Sequence, residues 1–430
     1  MRPGGRLAAA IEILADIEAR HRPVAEALKD WGISNRFAGS GDRAAIGNLV
    51  YDALRWRLST AWVMGEEAPR ALVLGTVARH WAGGVEGLSG MIGDDAHAPQ
   101  PLSPGEADRL ATADISHAPD HVRADVPEWV AAMMQRAFGA EWIAEGAAQA
   151  LRPPLDMRVN QLKADRDKVV KALAQFAAVP TPHSPDGLRI AATSSDRRHP
   201  NVQVEPAFQK GWFEIQDEGS QLAARMVGTK AGEQVLDLCA GGGGKTLALA
   251  AIMANKGQIL ATDSDRGRLA PIFDRLKRAG TRNAQVRGAG TSLADIEGRM
   301  DAVLIDAPCS GTGTWRRRPD AKWRLSERAL GERIAEQSAL LDSAARFVKP
   351  GGRLVYVTCS FLPDENDERI AAFLAGTEGF RAKPAADMIA AAGLPAEFAG
   401  SAYATANGIL LSPLKTGTDA FFVAVLERTA

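Results

Sequence analysis

The chain has 430 residues, of which 46% are hydrophobic and 24% charged, with a formal net charge of −1. That length predicts two or three domains, and no apolar run approaches the length of a membrane span. The near-neutral charge argues against a uniformly basic nucleic-acid binder and confines any RNA contact to local patches.

The start, Met1 to Arg6, lacks the apolar stretch and cleavage site of a secretory signal. Three cysteines in so long a chain suit a reducing cytoplasm rather than a disulfide framework. No His/Cys cluster has zinc-like spacing, so no metal is expected.

In chain order, Leu7 to Leu14 and Asp42 to Arg55 carry apolar residues at three- and four-residue spacing, which predicts helices. The stretch 83–119, rich in Gly, Pro, Asp and Ser, reads as a long loop or a partly ordered excursion. A helical pair over 126–151 ends at Arg152-Pro153-Pro154, a domain boundary, because a residue before proline is pushed out of the helical region. Strand-like 155–160 and helix-like 166–176 then open a small α+β module. After Gly232 the rhythm becomes strand, turn, helix. The short apolar runs 234–238, 258–262, 301–305 and 353–357 read as parallel strands buried on both faces, and 408–414 with 419–426 as a closing hairpin. The fold class is therefore α/β with a Rossmann-like sheet. The domains are a helical one over 1–150, an α+β subdomain over 151–227 and the sheet domain over 228–430.

The first of these strands runs into Cys239-Ala240-Gly241-Gly242-Gly243-Gly244-Lys245-Thr246. Glycines before a helix N-terminus let a nucleotide-like ligand approach the backbone, although a structural turn uses the same residues. Gly-Lys-Thr also suggests a P-loop, but Cys239 stands where that pattern needs its first glycine. The next strand ends in Thr262-Asp263, an acid placed to accept ribose hydroxyls or merely to cap the following helix. Asp306-Ala307-Pro308-Cys309 and Thr358-Cys359-Ser360 close two later strands. All three cysteines thus lie at strand carboxyl ends, where open α/β sheets bind ligands.

These motifs resemble the RNA (cytosine-5)-methyltransferase family, in its bacterial ribosomal-RNA branch with an N-terminal domain similar to the NusB antiterminator. Asp42 to Tyr51 and Leu54 to Arg57 look like the NusB-like part. Arg158, Asn160 and Lys163 look like the small subdomain, Gln216 to Gln221 like the segment entering the sheet domain, and Asp419 to Phe422 like the closing strand. The resemblance implies that S-adenosyl-L-methionine binds at Cys239, Ala240, Gly241, Gly242, Gly243, Gly244, Lys245, Asp263 and Asp306. It also implies Cys359 as the nucleophile toward C6 of cytosine, Asp306 as the contact to N3, and Cys309 as the residue assisting product release. The family loop reads Cys-Ala-Ala-Pro-Gly-Gly-Lys, so Gly241-Gly242 departs from it. No acid follows the third strand at Arg287-Gly288-Ala289-Gly290, which leaves Asp295 as the substitute near adenine.

The basic run Arg316, Arg317, Arg318 and Lys322, interleaved with Trp315 and Trp323, is expected to hold RNA phosphates beside the catalytic loop, as are Arg158, Asn160 and Lys163. The expected partner is RNA, rRNA before tRNA, bound by a cytoplasmic monomer. A catalytically silent assembly factor on the same fold and a P-loop NTPase are the alternatives.

Overall fold

A computed structural model describes residues 1–429 except 194, 195 and 198. It divides the chain into two compact units. One comprises Met1–Pro153, Ala192–His199 and Trp315–Leu325. The other comprises Pro154–Ala191, Pro200–Thr314 and Ser326–Ala430.

The first unit is helical. Its opening helix, Pro3–Arg20, places Leu7, Ala10, Leu14 and Ile17 on one buried face, the spacing a helix needs to seat a stripe in a core. Helices Ser40–Arg55 and Pro69–Thr76 complete that core with Ile46, Leu49, Val50, Leu72 and Val73. The stretch 83–119 is more ordered than its composition suggests, with helices Val85–Ile92 and Pro104–Thr112. The second starts with a capping box: Ser103 and Glu106 each satisfy the other's backbone N–H, and Pro104 sits where a missing N–H costs nothing.

The second unit carries two sheets. Its strands are β1 Leu155–Val159, β2 Val179–Pro180, β3 Gly187–Ile190, β4 Phe213–Ile215, β5 Gln234–Asp237, β6 Gln258–Thr262, β7 Ala284–Arg287, β8 Met300–Asp306, β9 Val348–Thr358, β10 Phe380–Ala382, β11 Tyr403–Ala404, β12 Ile409–Leu411 and β13 Phe421–Arg428. The small sheet has the order β2-β3-β1-β4 and is antiparallel where its pairs are formed. The large sheet runs β11-β12-β13-β9-β8-β5-β6-β7, parallel from β9 through β7 and antiparallel at β13. Strand order reverses between β6 and β8 on either side of β5. The carboxyl ends there splay apart into a crevice, the usual ligand position of such sheets. Val235, Ala302, Leu304, Val355 and Val357 are fully buried, as expected of strands covered on both faces.

Asn160 and Lys163 join the two sheets. Asn160 Nδ2 donates to the Gly211 and Ala279 carbonyls, and Lys163 Nζ to those of Lys210 and Arg278. They therefore cap the open C-terminal carbonyls of helix Ile272–Ala279.

Candidate active site

The catalytic motifs converge at the crevice. Cys309, past the end of β8, and Cys359, past the end of β9, place their sulfurs 3.4 Å apart. Asp306 ends β8 and pairs with Lys245 at 2.7 Å, its side chain about a third exposed.

Two loops are laced together so that the sulfurs must meet. Gly313 N donates to Cys359 O, and Ala420 N donates to Gly313 O. A β-carbon at Gly313 would lie 2.1 Å from the Ala420 carbonyl oxygen, so only glycine fits there. The hydroxyls of Thr312 and Ser360 touch at 2.9 Å, and Thr358 Oγ1 donates to Asn366. Glu365, fully buried, receives the Ser310 N–H at 2.7 Å, the Ser310 hydroxyl at 2.5 Å and Gln337 Nε2 at 3.0 Å. Gln337 also holds the Pro308 carbonyl. Glu365 is thus the clamp on the Pro-Cys loop, and the motifs alone do not reveal it. The contact with Cys359, then burial, then the Cys359 and Glu365 charges push the Cys309 thiol well above its ordinary range, so Cys309 is held as the protonated partner.

The glycine loop forms the other half of the crevice. Gly241 and Gly243 have φ of +49° and +81°, the left-handed region that glycine enters without strain. Asp263 accepts from Gly241 N and Asp265 N, both at 2.9 Å, and Arg275 Nη1 donates to Gly242 O. The loop is therefore tied in place despite its four glycines. Ser220, Cys239, Ala240, Gly241, Gly242, Gly244, Lys245, Arg268 and Asp306 line a cavity of about 310 Å³. Beneath it Asp237 is fully buried. One of its oxygens accepts from Thr246, while Oδ1 has no partner. Burial raises its pKa to about 7, with Asp306 and Asp263 adding and Thr246 and Lys245 opposing. Burial, then these same carboxylates, also raises the Cys239 thiol, so Cys239 lines the cavity as a neutral group.

This lining suits S-adenosyl-L-methionine. Glycines admit its bulk to the backbone and Asp306 is an acid on the cavity wall, while Asp263 and Asp237 lie buried behind the glycine loop. Among the described residues no group of three or more His, Cys, Asp or Glu could hold a metal.

Four of the residues expected to touch RNA lie elsewhere. Arg316 and Lys322 are 5% and 3% exposed, inside the helical unit. Lys322 Nζ donates to the Arg55 and Asp125 carbonyls, Arg55 donates to Arg316 O at 2.6 Å, and Trp323 Nε1 donates to Leu54 O. Burial lowers Lys322 to about 8. These cations hold the segment in its core and do not face solvent; Arg317 is half-buried and Arg318 exposed. Arg158 and Asn160 are likewise buried. Arg158 donates to Gln216 Oε1, whose Nε2 reaches Ser220 at the cavity. Only Lys163 of that trio is at the surface. Asp295 is held by Arg287 in a two-pronged surface pair.

The sheet order, the glycine loop and the strand-end acids define a Rossmann-like S-adenosylmethionine-dependent methyltransferase domain. Residues 224–427 match the family 16S rRNA methyltransferase RsmB/F, and residues 126–195 its ferredoxin-like domain. Over these two stretches the chain resembles that family. It is 38% identical over 255 residues, 58% of each chain, to ribosomal RNA small subunit methyltransferase B of Enterobacter sp. (strain 638), and equally so to that of Klebsiella pneumoniae (strain 342). The match thus spans a little over half the length of these relatives. Among solved structures, "PH0851" is 26% identical with a TM-score of 0.72, covering 100% of this chain and 99% of that one. A methyltransferase homolog protein from Pyrococcus horikoshii is 26% identical with a TM-score of 0.60, covering 76% of this chain and 100% of that one. The family match decides against the NTPase alternative.

Proposed function

We propose that the protein methylates C5 of a cytosine in RNA, with 16S rRNA as the substrate, in the cytoplasm and as a monomer. The observation that carries this reading is the pair of sulfurs 3.4 Å apart beside the Asp306–Lys245 ion pair. Carbon 5 of cytosine is a poor nucleophile, so a thiolate must first add to C6. Cys359 adds to C6 while N3 gains a proton within reach of Asp306 and Lys245, leaving an enamine whose C5 carries the electron pair. S-adenosyl-L-methionine, held by the glycine loop with Asp263, supplies the methyl group. Solvent water then takes the C5 proton and the Cys359 thiolate departs, with Cys309, kept as a thiol beside Glu365, donating to the leaving sulfur, and N3 returns its proton to the Asp306–Lys245 pair. The names of the relatives support rRNA as the substrate, and the base must leave any stack to reach the crevice, which favours single-stranded or loop RNA.

The test is incubation with cofactor and 16S rRNA, followed by mapping of 5-methylcytosine. One modified cytosine, absent with Cys359→Ala, is expected. Cofactor binding without methylation of any RNA would make the protein a silent assembly factor.

A further inference from the structure

With Arg316 and Lys322 committed to the helical core, cations on other surfaces become candidates for meeting RNA. The small sheet carries a cluster assembled from separate segments. Lys163, Lys168 and Lys210 are exposed, and none forms an ion pair among the described residues. Lys168 Nζ lies 4.1 Å from the centroid of the Trp212 ring and Lys210 Nζ lies 5.4 Å from it. Lys163 Nζ is anchored on the carbonyls of Lys210 and Arg278. Trp212 is half-buried, and its own carbonyl receives the Asn160 N–H.

We propose that Lys163, Lys168 and Lys210, arrayed around Trp212, form a phosphate-binding platform for an RNA strand, outside the catalytic crevice. An unrestrained surface lysine has rotamer entropy to lose when it grips a phosphate. Here two ammonium groups already rest on an indole and the third on two carbonyls, so part of that ordering precedes binding. A compact ammonium with no carboxylate partner is suited to a phosphodiester oxygen, and a nucleic-acid backbone supplies such oxygens at regular spacing. Of the acids on the same turn, Asp165 is occupied in capping the helix through the Lys168 N–H, while Asp167 is exposed and reduces the local charge. The platform is also connected to the chemistry. Arg278, which anchors Lys163, lies on helix Ile272–Ala279, and Arg275 of that helix holds the Gly242 carbonyl of the cofactor loop.

The proposal rests on RNA being the substrate, and the experiment separates the two ideas. A labelled single-stranded oligoribonucleotide is titrated with the full chain at several salt concentrations, using wild type, the double variant Lys168→Gln/Lys210→Gln, the triple variant adding Lys163→Gln, and Trp212→Leu. Each lost phosphate contact lowers the salt slope by about 0.7 for a single strand, so the triple variant should lose about two units and the double variant about 1.4. Trp212→Leu should weaken binding severalfold with the slope unchanged, since it removes order and no charge. The double variant leaves the Lys163 hydrogen bonds intact, and unchanged melting and cofactor titration certify its fold. A wild-type slope in the double variant overturns the platform. No RNA affinity in wild type overturns the substrate reading itself. Lysine-dependent binding of polyglutamate tighter than RNA assigns the cluster to an acidic protein and also overturns the proposal.

Discussion

Asp237 makes the stability of the sheet domain depend on pH in a direction unusual for a carboxylate. Its folded pKa of about 7 lies above the ordinary 3.8 because the group is buried with Oδ1 unpartnered near two other acids. A group whose pKa is raised on folding stabilises fully below its unfolded value, and that contribution is lost as pH rises through the folded value. About three units at 1.36 kcal/mol each amount to roughly 4 kcal/mol, of which about 2 falls between pH 5.5 and pH 8. Asp237→Asn keeps the shape, retains a hydrogen bond with Thr246 and cannot ionise. Urea unfolding across that range should show wild type losing about 2 kcal/mol relative to the variant, with the variant the more stable at pH 8. Parallel stability curves for the two proteins would refute the reasoning, since they would mean that Asp237 is already ionised in the fold or solvated by water.

Cys359→Ala should abolish both methylation and any covalent adduct, whereas Cys309→Ala should accumulate a protein–RNA complex that survives a denaturing gel; a band from Cys359→Ala instead would reverse the roles. Glu365→Gln exchanges charge-assisted bonds for neutral ones and should cost about 2 kcal/mol in denaturant unfolding. It should also speed alkylation of Cys309 at alkaline pH, because removing the Glu365 charge lowers that thiol's pKa; an unchanged alkylation profile counts against the clamp's electrostatic role. Gly241→Ala forces a side chain to φ +49° and should weaken cofactor binding by about 1 to 2 kcal/mol by calorimetry, while undiminished affinity would show that the bound loop takes another conformation.

The parallel core was legible because its strands are short apolar runs followed by turns, and because strand ends gather ligands whatever the rest of the chain does. That logic brought Cys309 to Cys359 across fifty residues of sequence. The same reading misplaced Arg158, Asn160, Arg316 and Lys322. A cation's position in sequence says nothing about which carbonyls it will reach, and Lys322 meets Arg55 and Asp125, each far away along the chain. Glu365 was invisible for the same reason: Pro363-Asp364-Glu365 has the composition of a surface turn, and only the return of Ser310 and Gln337 to it makes a clamp. The helix Pro104–Thr112 was legible in principle, through Ser103 and Glu106, but lay inside a stretch whose overall composition masked its cap.

Gly313 is a backbone junction between the catalytic loops and the last strand. It receives the backbone of Ala420 and gives its own N–H to Cys359, while β13 pairs with β9 from Phe422↔Thr358 to Glu427↔Arg353. Both thiols, the acid of β8 and the whole glycine loop lie before residue 400, and the segment beyond it adds the Ala420 clasp on Gly313 and the antiparallel cover of β9.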